Sequence, residues 1–242
     1  MNRSIKIVGV ISSSHHNGNS ATLAREALKG AAEEGAQVTE IYLPKQRVEF
    51  CTGCLKCLEG KCPFSDDFET LRKLVYEADG IIFSSPTFAT APNAIMKNFI
   101  DRLGMYERFT SSLGGKYIVG IATAGHTGAK KVAMGLTCLA RDGIFKRGYV
   151  SGILGINIGS DRVVNDAGKL MLARNLGKKI TRDIKTYNKY PFQNLIGRWI
   201  NCLFVRPHFY KVILKNKDGS MKAVYNNLSQ RGLIQLDVLW RS

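Results

Sequence analysis

A doubly wound α/β fold on a five-stranded parallel sheet is what this sequence predicts, and three observations carry it. Short β-branched apolar runs alternate with helix-period segments through the first 187 residues. The runs are almost continuously apolar, as in strands covered on both faces, and do not alternate as half-solvated strands do. Each of the first, third and fourth runs also opens into a Ser-, Gly- or Pro-bearing turn, at the strand ends where open α/β sheets bind ligands.

The elements follow in order. Residues 5–11, IKIVGVI, form a strand bounded by the polar stretch 12–20. Leu23, Ala24, Ala27, Leu28 and Ala31 then recur at helical spacing until Gly35 stops the pattern. A second strand is expected at 38–43, and a second helix at 68–77 with Asp66 or Asp67 as its N-cap. Strand 80–85, helix 93–102, strand 116–123, helix 130–142, strand 151–158 and a long helix at 166–187 complete the rhythm.

The last 55 residues break it. Leu195, Ile196, Trp199, Ile200, Leu203 and Phe204 make an apolar stripe on a short helix that Pro207 is expected to end. Residues 209–214 and 221–225 flank a polar 215–220 segment and read as a β-hairpin. Residues 1–187 therefore form one domain, with the cysteine-rich stretch 51–62 inserted in it. Residues 188–242 form an extension: an arm, a lid or an interface element.

Of 242 residues, 35 are Lys or Arg and 19 are Asp or Glu, for a formal charge of +16. The first 100 residues hold 11 of each sign, so the rest, with 24 basic and 8 acidic, carries the whole excess. A hydrophobic share of 45% with 22% charged residues excludes a disordered or collagen-like chain. No apolar run reaches the roughly 18–20 residues of a membrane-spanning helix, and the first is too short for a secretory signal. A cytoplasmic protein is expected. Its basic half would face nucleic acid, an anionic lipid surface, an acidic protein or a phosphorylated ligand.

The turn after the first strand supplies Ser13, His15, Asn19 and Ser20 before a helix N-terminus, where unpaired amides and the helix dipole favour an anion. G-x-G-x-x-G is absent. Short side-chain donors beside Gly18 suit a terminal phosphate monoester, or serve as an ordinary polar turn. Pro86, Thr87, Phe88 and Ala89 follow the third strand, and Ala124, Gly125, His126 and Gly128 follow the fourth, on the same sheet edge. Their backbone groups can address a flat heteroaromatic ring that lies against Phe88.

Four of six cysteines, Cys51, Cys54, Cys57 and Cys62, crowd into twelve residues as C-x2-C-x2-C-x4-C. So tight a cluster is awkward for disulfides. Four thiolates bind zinc or an iron–sulfur cluster; zinc usually joins two knuckles across a longer spacer, while closely spaced cysteines can wrap a cubane. Uncoordinated or redox-active thiols are the remaining reading. Cys138 and Cys202 read as core residues.

Taken in order, 13–23, the CTGCLKC segment, Asp66-Asp67, ADGII at 78–82, SPTF at 85–88 and MKNFIDR at 96–102 resemble the flavodoxin-like NAD(P)H-dependent FMN reductase family, in particular its iron–sulfur flavoprotein branch. The resemblance spans about residues 4–185. It implies FMN, its phosphate held by Ser13, Asn19 and Ser20 and its ring by residues 86–89 and 124–128, with NAD(P)H as electron donor. It also implies a [4Fe-4S] cluster on the four cysteines and a homodimer or homotetramer. Where the family usually has Gly-Ser-Pro-Arg, this chain has Ser12-Ser13-Ser14-His15, leaving His15 as a weaker, pH-dependent phosphate partner. No side-chain base is required, and His126 is the one proton donor near the expected ring edge.

Three functions follow as expectations. The first is a redox flavoprotein passing electrons from NAD(P)H or ferredoxin to an unidentified acceptor, with the basic half steering an acidic carrier. The second is a metal-free flavin-dependent quinone, azo or nitro reductase. The third is a binding module that grips nucleic acid through Lys178, Lys179, Arg182 and Lys185, or an anionic membrane through the extension.

Overall fold

The computed structural model describes residues 3–141 and 143–234. Five parallel strands, β1 (Lys6–Ile11), β2 (Gln37–Tyr42), β3 (Gly80–Phe88), β5 (Tyr117–Ala124) and β6 (Tyr149–Asn157), stand in the order β2-β1-β3-β5-β6. A two-residue strand, β4 (Ala91–Pro92), pairs antiparallel with the end of β3. The order reverses at β1, so β1 and β3 leave the sheet on diverging sides and open a crevice at their carboxyl ends.

The central strands are buried on both faces, which is why their sequences do not alternate. On one face, α1 (Asn19–Glu33) and α7 (Ala167–Lys185) cover Ile7, Ile82, Val119 and Ile121. On the other, α3 (Phe68–Glu77), α4 (Ala94–Thr110) and α5 (Ala129–Gly135) cover Val8, Val10, Ile81, Phe83 and Ile118. α1 and α7 meet almost backbone to backbone: a Cβ on Gly177 would fall 1.7 Å from the Ala27 carbonyl oxygen.

Most predicted boundaries hold within a few residues. β3 runs on to Phe88, and α4 continues to Thr110. The helix expected at 130–142 is two pieces, α5 and α6 (Cys138–Arg141), parted after Gly135; residue 142 lies outside the described residues. Asp67 sits at the N-cap of α3, but Asp66 does the capping, its Oδ1 accepting from the Phe68 amide at 3.1 Å.

The extension differs from the expectation. Pro207 does not end the first helix: α8 (Leu195–Ile200) passes through one wide i→i+5 turn (Asn201–Val205) into α9 (Arg206–Lys215). Proline is tolerated in the first turn of α9, and the widened turn absorbs the hydrogen bond it cannot make. The predicted hairpin is helical too, its second half being α10 (Lys222–Gln230). Met221, Val224, Tyr225 and Leu228 stand at i, i+3, i+4, i+7, and that period prevails over the turn-like residues before them.

α9 and α10 form a second, smaller core. Ile213, Val224, Leu228 and Ile234 bury Leu58, Ile144 and Phe145, with Cys57 and Tyr106 at its edge. The extension thus backs the cysteine segment, whose short helix α2 (Lys56–Glu59) packs on α10. No described helix is long and apolar enough to cross a membrane.

Candidate functional site

Three turns at the carboxyl edge of the sheet come together. The Ser12 amide and hydroxyl both donate to the Ser84 carbonyl at 3.1 Å, and Asn93 Nδ2 donates to the Ser12 carbonyl at 2.7 Å. These bonds join the β1 turn to the β3 turn. The β5 turn lies against the latter, with the Cβ position of Gly128 3.6 Å from Thr87 Cγ2.

The β1 turn fits an anion. Gly18 is the N-cap residue of α1 and offers no side-chain cap; the first turn holds no carboxylate to offset the exposed amides. Ser20, 1% exposed, has a hydroxyl oxygen with no hydrogen-bond partner. A buried, unpaired hydroxyl costs stability unless something bonds it. Ser13 is buried and its hydroxyl donates to the His15 carbonyl at 2.9 Å. His15 is exposed at the rim. The Asn19 side chain turns toward the loop after β6, donating to the Asp161 carbonyl at 3.1 Å and accepting from the Val163 amide at 2.9 Å.

Two cations that sequence spacing did not reveal sit at this turn. Arg162 donates to the Asn17 carbonyl at 3.3 Å, and Arg25 to the His16 carbonyl at 2.6 Å while paired with Glu40. Arg162 lies 145 residues along the chain from Asn17, so only the fold makes them neighbours.

The β3 turn is strained. Ala89 (φ 46°) and Thr90 (φ 62°) are consecutive left-handed non-glycine residues at the tip joining β3 to β4. Such strain persists only where surrounding structure enforces it, and it concentrates at functional sites. Here Ser85 Oγ accepts from the Asn93 amide at 3.0 Å and fixes the base of the turn. Phe88 stands 61% exposed, and Thr87 Oγ1 is buried without a partner. Pro86, just before them, is half-buried. In the β5 turn Ala124 is buried, Gly125 and His126 are exposed, and Gly128 takes φ 91° to start α5. An exposed ring, exposed backbone and unpaired hydroxyls therefore gather beside the N-terminus of α1.

All four clustered cysteines line one small pocket with Phe64, Asp101, Arg102 and Met105. Gly53 (φ 67°) and Leu55 (φ 60°) bend the loop so that Cys51 and Cys54 lie outward, while Cys57 and Cys62 are half-buried. Burial, with the nearby Cys62, Cys51 and Cys54 thiols, pushes the Cys57 thiol up to about 11. The Lys56 amide foremost draws the Cys54 thiol below its ordinary value, with help from Thr52. Among the described residues no three or more His, Cys, Asp or Glu side chains close on one ion. A single zinc requires that, with sulfurs about 2.3 Å from the metal. A four-iron cube takes one thiolate per corner, which suits donors spread around a pocket wall.

Arg102 forms the floor of this pocket. Its guanidinium pairs with Asp66 at 2.7 Å, both side chains almost fully buried, and bonds the Glu49 carbonyl at 2.7 Å. Its positive charge also lies near Cys62. Burial works against a charged Asp66, but Arg102 and the Glu49 and Phe68 amides hold its carboxyl below the usual range. Asn98 ties the same strap, accepting from the Cys51 amide at 3.1 Å. α4 thus runs from the β3 turn, where Asn93 caps it, to the cysteine pocket, and holds both sites on one rigid rod.

Other sequence expectations part company here. Cys138 packs on the main core, but Cys202 is exposed rather than buried. The α7 cations meet partners on α1 and on α7 itself: Lys178 pairs with Glu33, Arg182 with Glu34 and Lys179 with Asp183, while Lys185 donates to the Glu34 carbonyl.

Comparisons with known proteins agree with this fold. The family model described as NADPH-dependent FMN reductase matches residues 5–144. An iron-sulfur flavoprotein of Archaeoglobus fulgidus is 30% identical over 234 residues, covering 95% of this chain and 100% of that protein. Another, of Methanocaldococcus jannaschii, is 32% identical over 195 residues, or 76% of this chain and all of its own length. Among solved structures, a flavone reductase superposes with a TM-score of 0.61 at 23% identity over 78% of this chain and 66% of its own. An NAD(P)H:quinone oxidoreductase from Methanothermobacter marburgensis gives 0.56 at 18% identity, over 74% and 98%. At such identities these structures speak to the fold alone. The matches over most of the chain, together with the cysteine pocket, show that this chain belongs to the NADPH-dependent FMN reductase family, in its iron-sulfur flavoprotein branch.

Proposed function

We propose that this protein is a flavin-dependent oxidoreductase that binds FMN at the three turns and a [4Fe-4S] cluster at Cys51, Cys54, Cys57 and Cys62. One observation carries the flavin site: the unpartnered, buried Ser20 hydroxyl at the uncompensated N-terminus of α1, beside the two other turns. Ser13, Ser20 and the first α1 amides would hold the phosphate, with Arg162 adding positive charge. Phe88 and the backbone at 86–89 and 124–128 would flank the ring. Bound there, FMN exchanges electrons in pairs with NAD(P)H or singly, and a cluster exchanges one at a time.

The chain's own part is positional. The Ser12–Ser84–Asn93 bonds lock the β1 and β3 turns together, so a ligand meets preformed donors. Arg102 and Lys56 place positive charge beside thiolates that would otherwise repel one another. His126, exposed beside Gly125, is the group available to pass a proton at the ring edge. Reduced ferredoxin is a second electron source of fitting chemistry, and a homodimer or homotetramer is the assembly this reading carries.

Titration of the apo-protein with FMN and with riboflavin tests the flavin site. FMN is expected to bind at least tenfold more tightly, and Ser20→Ala should remove roughly tenfold of FMN affinity while leaving riboflavin unchanged, a charged-acceptor hydrogen bond being worth about 1.5–3 kcal/mol. Equal binding of the two would overturn the phosphate assignment. A second reading, a metal-free flavin reductase with free thiols, draws on the outward position of Cys51 and Cys54. Iron analysis separates the two.

A further inference from the structure

The extension holds a feature that flavin chemistry does not use. Between the 141–147 segment and α8–α9 lies a cavity of about 270 Å³ whose lining includes Arg141, Lys146, Arg147, Arg198 and Arg206. No described carboxylate lines it. Asp142, next in sequence, lies outside the described residues, and a charge there would still leave an excess of four cations. The contrast with α7 is direct, since the cations of that helix sit beside carboxylates.

The cavity is built. Arg147 donates to the carbonyls of Lys189, Tyr190 and Gln193, Arg198 to that of Pro191, and Asn201 Nδ2 to that of Ile144 at 2.8 Å. These bonds hold the Arg147 and Arg198 guanidinium groups at the edge of the space, and no described carboxylate lines it. Burial, and the neighbouring Arg198, lower the Arg147 guanidinium from its ordinary value, as expected where like charges are held together.

The other face of the same helix is apolar and bare. Ile196 (78% exposed), Trp199 (67%), Leu203 (57%) and Phe204 (70%) project into solvent, and α8 and the wide turn after it bury no residue at all. An amphipathic helix gains its stability from covering such a face. α8–α9 therefore presents an aromatic-aliphatic stripe on one face and Arg198 and Arg206 on the face toward the cavity, where Arg141, Lys146 and Arg147 add positive charge.

We propose that α8–α9 is a docking surface for an anionic phospholipid bilayer, with the Arg/Lys cavity receiving a lipid phosphate while Trp199, Leu203 and Phe204 enter the acyl boundary. Such helices lie in the interface and combine apolar burial with attraction to anionic lipid. Two other occupants fit less well. A second copy meeting this face isologously would set the same patch against itself and bring two sets of five cations together. An acidic electron carrier would match the charge but not the protruding stripe, and this cavity opens at the amino edge of β6. That is a strand of nine residues, or about 30 Å, from the flavin turns.

The test is co-sedimentation of the intact flavin-loaded protein with vesicles, in 0.1 M salt, of phosphatidylcholine alone or with phosphatidylglycerol added. Binding is expected with the anionic vesicles only. Arg198→Gln with Arg206→Gln should weaken it roughly thirtyfold (about 2 kcal/mol, at about 1 kcal/mol per cation at such a surface). Leu203→Ser with Phe204→Ser, which disturbs no buried contact, should abolish it with flavin content unchanged. Absence of sedimentation, or equal binding to both vesicles, overturns the proposal. So does binding of inorganic pyrophosphate without vesicles, which would assign the cavity to a soluble phosphate. A dimer by analytical ultracentrifugation that Leu203→Ser with Phe204→Ser dissociates would make a second copy the occupant. Ferredoxin-linked turnover that falls in the arginine variants while vesicles stay unbound would assign the face to the carrier. Vesicle binding itself depends on neither the cluster nor the flavin assignment, so its failure is distinguishable from theirs.

Discussion

At the scale of single residues, two buried ionisable groups, Glu107 and Arg102, decide how the molecule answers to pH and substitution. Glu107 on α4 is 1% exposed; its Oε1 accepts from the Leu113 amide at 2.7 Å, while Oε2 has no partner. Burial pushes its carboxyl up to about 8. The folded chain then holds a proton that the unfolded chain releases near 4.5, so this residue's contribution is full below about 4.5 and fades as pH rises through about 8. Urea midpoints are expected to fall across that window, and Glu107→Gln should flatten the decline and leave the variant more stable than the parent at pH 8. Arg102 behaves otherwise. Arg102→Gln strands a buried Asp66 carboxylate and is expected to cost about 3–5 kcal/mol in urea unfolding, with Asp66→Asn in the same chain restoring part of it. Some of this was legible in sequence and some was not. The cysteine spacing foretells a shared pocket, and the Ser-rich turn foretells polar side chains gathered at the start of α1. Arg162 did not declare itself, because it reaches the β1 turn only through the loop after β6. Asn19 did so misleadingly: a donor at the right place in sequence, it holds that loop instead.

At the scale of elements, the five long strands follow from continuous apolar runs and α1, α3, α4 and α7 from helical spacing, whereas β4, α2 and the break between α5 and α6 leave no such pattern. In the extension, Pro207 and the 215–220 segment speak locally for a break and a turn, whereas burial of Ile213, Val224 and Leu228 over the cysteine segment favours helices. Local punctuation yields where an apolar face has a core to cover. The tightest element contact carries its own prediction. α1 and α7 approach so closely at Gly177 that a methyl group there would overlap the Ala27 carbonyl. Gly177→Ala should force the helices apart and destabilise the fold by ~3 kcal/mol, read as a lower thermal midpoint with the cysteine pocket unaffected.

At the scale of the whole molecule, the sheet, α4 and the extension make one arrangement. The sheet edge gathers the three turns proposed to hold the flavin; α4 links them to the cysteine pocket; the extension packs behind that pocket and turns a bare, cation-flanked face outward. The charge asymmetry of the sequence corresponds to this division, with the α7 cations meeting partners and those around α8 left unmatched. The central claim is that both redox groups reside on one chain, and the most direct measurement is the absorption spectrum with flavin and iron analysis of protein purified without oxygen. About one FMN and about four irons per chain, with broad absorbance near 400 nm beside the flavin band near 450 nm, is the expected result. Flavin without iron would contradict the cluster, and a colourless protein that takes up no FMN would contradict the account as a whole.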